Sequence, residues 1–193
     1  MLYPEGEAKE MVFAYMEDTF GIKRHIHILE PDYGLSDESV HSAMSAFARM
    51  AAGEPLQYVT GKVCFYGREF HVTPDTLIPR PETELLCREV LDAADKSGLN
   101  DKGNTLKILD LCTGSGCIAW TLALESPGAE VLAVDISGGA LTVASHQDFA
   151  NEMSLSKVVA PIFKKADVLR SPDDSLGCFD IIVSNPPYVI HQL

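Results

Sequence analysis

Residues 179–184, FDIIVS, form an apolar run, and Asn185, Pro186, Pro187 and Tyr188 follow directly on it. Proline lacks an N–H, has a fixed φ and restricts the residue before it, so this turn is stiff and its carbonyls are free to accept hydrogen bonds. An asparagine oxygen and the Pro186 carbonyl can together accept both N–H bonds of a planar NH2 group. Such a nitrogen is a poor nucleophile because its lone pair is delocalised. Holding it with that lone pair aimed at an electrophile supplies much of the rate of a displacement. The Tyr188 ring can stack on the planar group and exclude water. The chemistry that suits this turn is methyl transfer to an NH2 nitrogen. The plainer alternative is a rigid loop that ends a strand.

A second constellation lies earlier, in LDLCTGSGCIA, which carries Asp110, Cys112, Thr113, Gly114, Ser115 and Gly116. Glycines in G-x-G spacing allow a sharp turn and the close approach of a ligand to the backbone. Alanine at 119 takes the last place of the dinucleotide fingerprint, which tolerates it. Asp135 ends the next apolar run, where an acid accepts hydrogen bonds from ribose hydroxyls. Asp110 would repel a pyrophosphate but suits an amine or a positive centre. S-adenosyl-L-methionine has both and no phosphate. Capping the loop or the helix after it is the alternative use of Asp110. Asp167, in FKKADVL, stands where a carboxylate can accept from the adenine amine, or is an ordinary loop aspartate. Val168 beside it can touch the base.

These side chains need a scaffold that brings strand ends together. From Leu106 the sequence alternates strand and helix: LKILDL, CIAWTLALES, EVLAVD, GALTVASHQDFA, a weaker strand near 161–163, then FDIIVS. That alternation predicts an α/β fold, a doubly wound parallel sheet with helices on both faces. Ligands of such sheets sit outside the carboxyl ends of the strands. Ahead of it, 5–20 has helical spacing and stops at Gly21. Residues 36–52 repeat the pattern, capped by Ser36, with a stripe at Val40, Met44, Phe47 and Ala51. YVTGKVCFYGREFHVT reads as a hairpin, and a helix starts at Pro81. The expected organisation is a helical domain over 1–54, a hairpin linker over 55–80 and a cofactor-binding domain over 81–193.

The chain has 193 residues, 46 % of them hydrophobic and 22 % charged, as in an ordinary globular protein. A net charge of -13 disfavours direct binding to nucleic acid, though not a protein partner that works beside it. No apolar stretch is long enough for a membrane span, and the N-terminus has no signal-peptide pattern. Five cysteines without a C-x-x-C fit reduced thiols in a cytoplasm. The histidines form no metal motif; His25 and His27 would share one face if HIHIL were a strand, but ordinary polar positions are expected there.

Four segments, TLIPRPETE, ILDLCTGSGCIA, AVDIS followed by ALTVA, and FDIIVSNPPY, together resemble the HemK/PrmC family, over roughly residues 50–190. Members are protein-(glutamine-N5) methyltransferases that act on peptide chain release factors. The resemblance implies a class I methyltransferase sheet behind a small helical domain that docks the protein substrate. It implies that 112–116, Asp135 and Val168 contact S-adenosylmethionine. It implies that 185–188 hold the glutamine of a Gly-Gly-Gln motif, with Asn185 also near the methyl donor. Arg80, Pro81 and Glu82 fall in the family motif and would shape the cleft, unless Arg80 only pairs with a carboxylate. Cys112 stands where the family more often has glycine, and fits if its φ is negative. Family members continue past Asn-Pro-Pro-Tyr, so the chain reads as a fragment whose sheet would end on an apolar edge. Asn-Pro-Pro-Tyr is shared with adenine-N6 methyltransferases of DNA or RNA, which would need a basic surface and a target-recognition region. An inactive fragment that binds cofactor or release factor is the non-enzyme alternative. Oligomeric state is not legible.

Overall fold

The computed structural model describes residues 3–98, 105–170 and 176–187. The chain divides into two compact units between Lys62 and Val63.

The first unit contains α1 (Glu5–Phe20), α2 (Ile26–Leu29), α3 (Asp37–Ala51) and α4 (Leu56–Thr60). Gly21, at φ 67°, ends α1 and returns its N–H to Glu17. Ser36 Oγ accepts the Ser39 N–H at 3.2 Å, a cap worth about 1 kcal/mol. The core gathers Tyr15, Ala43, Ala46 and Met50, with Phe20, Phe47, Leu56 and Val59 against them. Of the expected stripe on α3 only Phe47 joins this cluster, and Met44 is 62 % exposed. The buried face is centred on two alanines, which leave room for the Tyr15 ring. The backbone over Ile26–Leu29 is a helical turn rather than a strand, with His25 at its N-cap.

A hairpin follows, β1 (Lys62–Phe65) and β2 (Arg68–His71), which lies in the second unit from Val63 on. Tyr66 and Gly67 both have positive φ, 51° and 74°, as a two-residue turn with the strand twist requires. Phe70 packs on Phe65 and Phe149, with ring centroids 5.9 and 5.0 Å away. Arg68 pairs with Glu125 and Glu152, each at 2.7 Å. The hairpin is therefore fastened to the second unit by both rings and charge. Next comes α5 (Pro81–Lys96), with proline at its first position as expected.

The sheet is parallel, with β3 (Lys107–Leu111), β4 (Glu130–Asp135), β5 (Ile162–Lys165) and β6 (Ile181–Ser184) in the order β5-β4-β3-β6. Between them run α6 (Cys117–Glu125), α7 (Gly138–Ser145) and α8 (Ala150–Leu155). Ile108, Val131, Ala133 and Val183 lie in one core with Cys87, Val90, Ile118 and Leu122 of α5 and α6. The other face carries the row Ile162, Leu132, Leu109, Ile182. Its outer members are 66 % and 63 % exposed. Helices were expected on both faces; among the described residues they cover one.

The second crossover helix also differs from its sequence pattern. The run 139–150 is broken, because α7 ends at Ser145 and α8 begins at Ala150. The buried Gln147 explains the break. Its Oε1 accepts the His71 N–H at 2.8 Å, and its Nε2 donates to His71 O and Ser115 O at 2.8 and 3.0 Å. One side chain thus ties the hairpin to the glycine loop.

Candidate active site

From β3 the chain steps outward to β4 and β5, then returns to β6 on the other side of β3. The reversal opens a crevice outside the carboxyl ends of the strands. A cavity of about 260 Å³ lies there, lined by Cys112, Asp135, Ile136, Asp167, Val168, Leu169, Pro186 and Pro187 among others. A larger hollow of about 380 Å³ in the first unit is walled by Met11, Val12, Phe47 and Met50 and brings no reactive group together.

The glycine loop is held from behind. The Thr113 N–H donates to Val134 O at 3.0 Å, and its hydroxyl donates to Asp110 Oδ2 at 2.6 Å. The two glycines do different work. At Gly114 (φ 58°) a side chain would stand in open space. At Gly116 (φ 80°) it would meet Ala144 Cβ at 3.0 Å and Trp120 Cδ1 at 3.2 Å. Gly116 therefore permits close packing of α6 on α7, where Trp120 Nε1 donates to Ala144 O at 2.8 Å. Thr113 and Ser115 are buried and Cys112 is the loop side chain that lines the cavity.

Asp135 secures the loop from the front. Its Oδ2 accepts the Gly114 N–H and its Oδ1 the Ser137 N–H, both at 2.9 Å. Each oxygen keeps a further lone pair for a ligand. Asp167 lines the same cavity, with Oδ1 accepting the Leu169 N–H at 3.1 Å and Oδ2 facing Arg170 Nε at 3.1 Å.

Asp110 is fully buried and does not line the cavity. Its contacts are those of the loop-holding alternative. Burial, against the Thr113 hydroxyl and the Ala119 N–H and helped by the Asp135 charge, pushes its carboxyl up to about 7. The folded state therefore holds this proton between about pH 4 and 7 while the unfolded chain releases it. Its contribution to stability is full below about pH 4 and is lost as pH rises through 7. Asp110→Asn should flatten that slope in melting temperature measured from pH 4 to 8.

Cys112 has φ 60°, which corrects the expectation of a negative φ. A side chain in the left-handed region costs roughly 1–2 kcal/mol. Burial and the nearby Asp135 hold its thiol above the usual range, which does not suit a nucleophile. Cys112→Gly should raise the urea midpoint by an amount equivalent to about 1 kcal/mol at unchanged slope, whereas Cys112→Ala should give no gain.

At the end of β6, Ser184 Oγ donates to Leu111 O at 2.9 Å and pins the strand to β3. Asn185 Nδ2 donates to Thr83 Oγ1 at 3.1 Å. Pro186 and Pro187 line the cavity, and Tyr188 lies outside the described residues. The expected shapers of the cleft, Arg80, Pro81 and Glu82, are exposed and do not line it. The same turn contributes differently, through Thr83 to Asn185 and through Glu84, whose Oε1 accepts the Tyr66 N–H at 2.9 Å. Sequence reasoning missed Thr83 and Gln147. IPRPETE was a signal for the first, and nothing in the sequence marked the second.

The donor set fits a nucleoside ligand without phosphate. Asp135 has lone pairs to spare, apolar Ile136 and Val168 stand beside it, and open space lies over Gly114. Sheet order, glycine loop, acid and Asn-Pro-Pro turn define the class I methyltransferase fold.

Residues 84–192 match the family model described as methyltransferase small domain, and residues 4–61 match PrmC N-terminal domain. The chain belongs to the methyltransferase small domain family and, with that N-terminal domain ahead of it, to the HemK/PrmC family. It is 40 % identical over 88 % of its length to the release factor glutamine methyltransferase of Chlorobaculum tepidum, spanning 56 % of that protein. It is 40 % identical over 97 % of its length to that of Bacillus subtilis, spanning 62 %. With the Koribacter versatilis protein the identity is 48 % over 75 % of this chain and 47 % of the relative. The chain thus spans about half to three fifths of the length of these curated relatives. No described helix is long and apolar enough to cross a membrane.

Proposed function

We propose that this chain carries the S-adenosylmethionine site and amide clamp of an enzyme that methylates the glutamine side-chain nitrogen in the Gly-Gly-Gln motif of peptide chain release factors. The observation that carries the reading is Asn185, fixed at the end of β6 beside the cavity. When bound, S-adenosylmethionine supplies an electrophilic methyl group. Asp135 would accept from its ribose hydroxyls, Ile136 and Val168 would flank the base, and Asp167 would receive the adenine amine. Asn185 Oδ1 and the Pro186 carbonyl would accept the two N–H bonds of the glutamine amide, directing its lone pair toward the methyl. Tyr188 would cover the amide. Formation of the N–C bond would break the methyl–sulfur bond, its electron pair leaving with sulfur as S-adenosylhomocysteine, and the surplus proton on the amide nitrogen would pass to water without a strong base. The helical unit would dock the release factor, and a protein substrate that works at the ribosome would put the enzyme in the cytoplasm.

The names of the curated relatives favour this reading over adenine methylation. The net charge of -13 also opposes direct contact with nucleic acid. The test is intact-mass spectrometry of a purified release factor after incubation with the chain and S-adenosylmethionine. One added methyl, lost when the Gly-Gly-Gln glutamine is replaced, is the expected result. Methylation of an adenine oligonucleotide instead would overturn the reading.

A further inference from the structure

Thr83, in the first turn of α5, is 7 % exposed, and its hydroxyl is the partner of Asn185 Nδ2. Its own N–H is already bound to Arg80 O at 2.9 Å. An asparagine amide has an acceptor end and a donor end of nearly the same shape. Only the oxygen can receive an N–H from a substrate amide. With Nδ2 held by the hydroxyl, Oδ1 is left for the substrate. The turn that carries Thr83 is itself stiffened. Pro81 fixes φ at its first position, and Glu84 is anchored on the Tyr66 N–H.

We infer that Thr83 is the positioning residue that sets the Asn185 amide with its oxygen toward the NH2 group to be methylated. This rests on the amide-clamp reading given under Proposed function. It also gives the IPRPETE segment a task at the reaction: one turn of α5 fixes the orientation of a group at the end of β6. Small errors in such supporting contacts loosen a site without unfolding the scaffold.

Thr83→Val keeps the shape and removes the hydroxyl, whereas Thr83→Ser keeps the hydroxyl. In the nitrogen-15-labelled chain, the Asn185 side-chain protons should exchange with water about fivefold faster in Thr83→Val and at the original rate in Thr83→Ser. In methyl transfer to a release factor, kcat should fall about tenfold in Thr83→Val, with the KM for release factor and the affinity for S-adenosylhomocysteine unchanged. Thr83→Ser should restore kcat. Unchanged exchange and kcat in Thr83→Val would overturn the inference. So would a joint loss of kcat and S-adenosylhomocysteine affinity that serine does not rescue, since that is a structural effect. Full turnover by Asn185→Ala would overturn the clamp itself, and with it any positioning role for Thr83.

Discussion

Asn185→Ala should lower kcat for methyl transfer by about 10²- to 10³-fold, the size of loss seen when one preorganised polar group is removed from a reacting centre. The loss should fall on kcat rather than on cofactor affinity, because Asn185 is not among the side chains lining the cavity. Folding should suffer little. Asn185 is half-buried, and its side-chain bond to Thr83 is worth about 1 kcal/mol. Asn185→Asp separates the two ends of the amide: it keeps an acceptor and loses the donor to Thr83. Activity should therefore rank wild type, then aspartate, then alanine. The readout is single-turnover methyl transfer to a release factor at saturating S-adenosylmethionine. Alanine turning over like wild type would remove the amide clamp from the mechanism.

The parts of this site that were legible in the sequence are those placed by strand alternation. Once β3, β4 and β6 are recognised, Gly114, Asp135 and Asn185 must emerge at the carboxyl end of one sheet. Hydrophobic runs of strand length give that much, because a parallel strand buries both faces. What stayed hidden depends on partners distant in sequence. Gln147 breaks a helical pattern because its amide reaches His71 and Ser115. The positive φ of Cys112 sits in a loop whose next residue, Thr113, bonds to Val134 on a strand distant in sequence. On α3 the buried alanines 43 and 46 displaced a stripe of larger residues, since volume available opposite a helix is not written in the helix. Thr83 shows the middle case: the motif was visible, but only the fold shows that its hydroxyl meets Asn185.

Asp135→Ala should weaken S-adenosylhomocysteine binding by about 10²-fold, and two losses combine to give that figure. The ligand loses an ionised acceptor, and hydrogen bonds to charged groups contribute about 1.5–3 kcal/mol, where each 1.4 kcal/mol is about tenfold. The protein loses the common partner of the Gly114 and Ser137 N–H groups, so the loop is no longer pinned to the end of β4. Asp135→Asn keeps the shape but must turn an NH2 toward one of those two donors, so its loss should be intermediate. Charge gives an independent readout. Asp135 helps to hold up the protonation of both Asp110 and the Cys112 thiol. In Asp135→Asn, then, the Cys112 thiol should react with an alkylating reagent at lower pH than in the wild type. Calorimetric titration with S-adenosylhomocysteine and a pH series of alkylation rates measure the two effects separately. Unchanged affinity in both variants would take the ribose from Asp135. Weakened affinity with an unmoved thiol would keep the ribose contact and remove the charge coupling between Asp135 and the glycine loop.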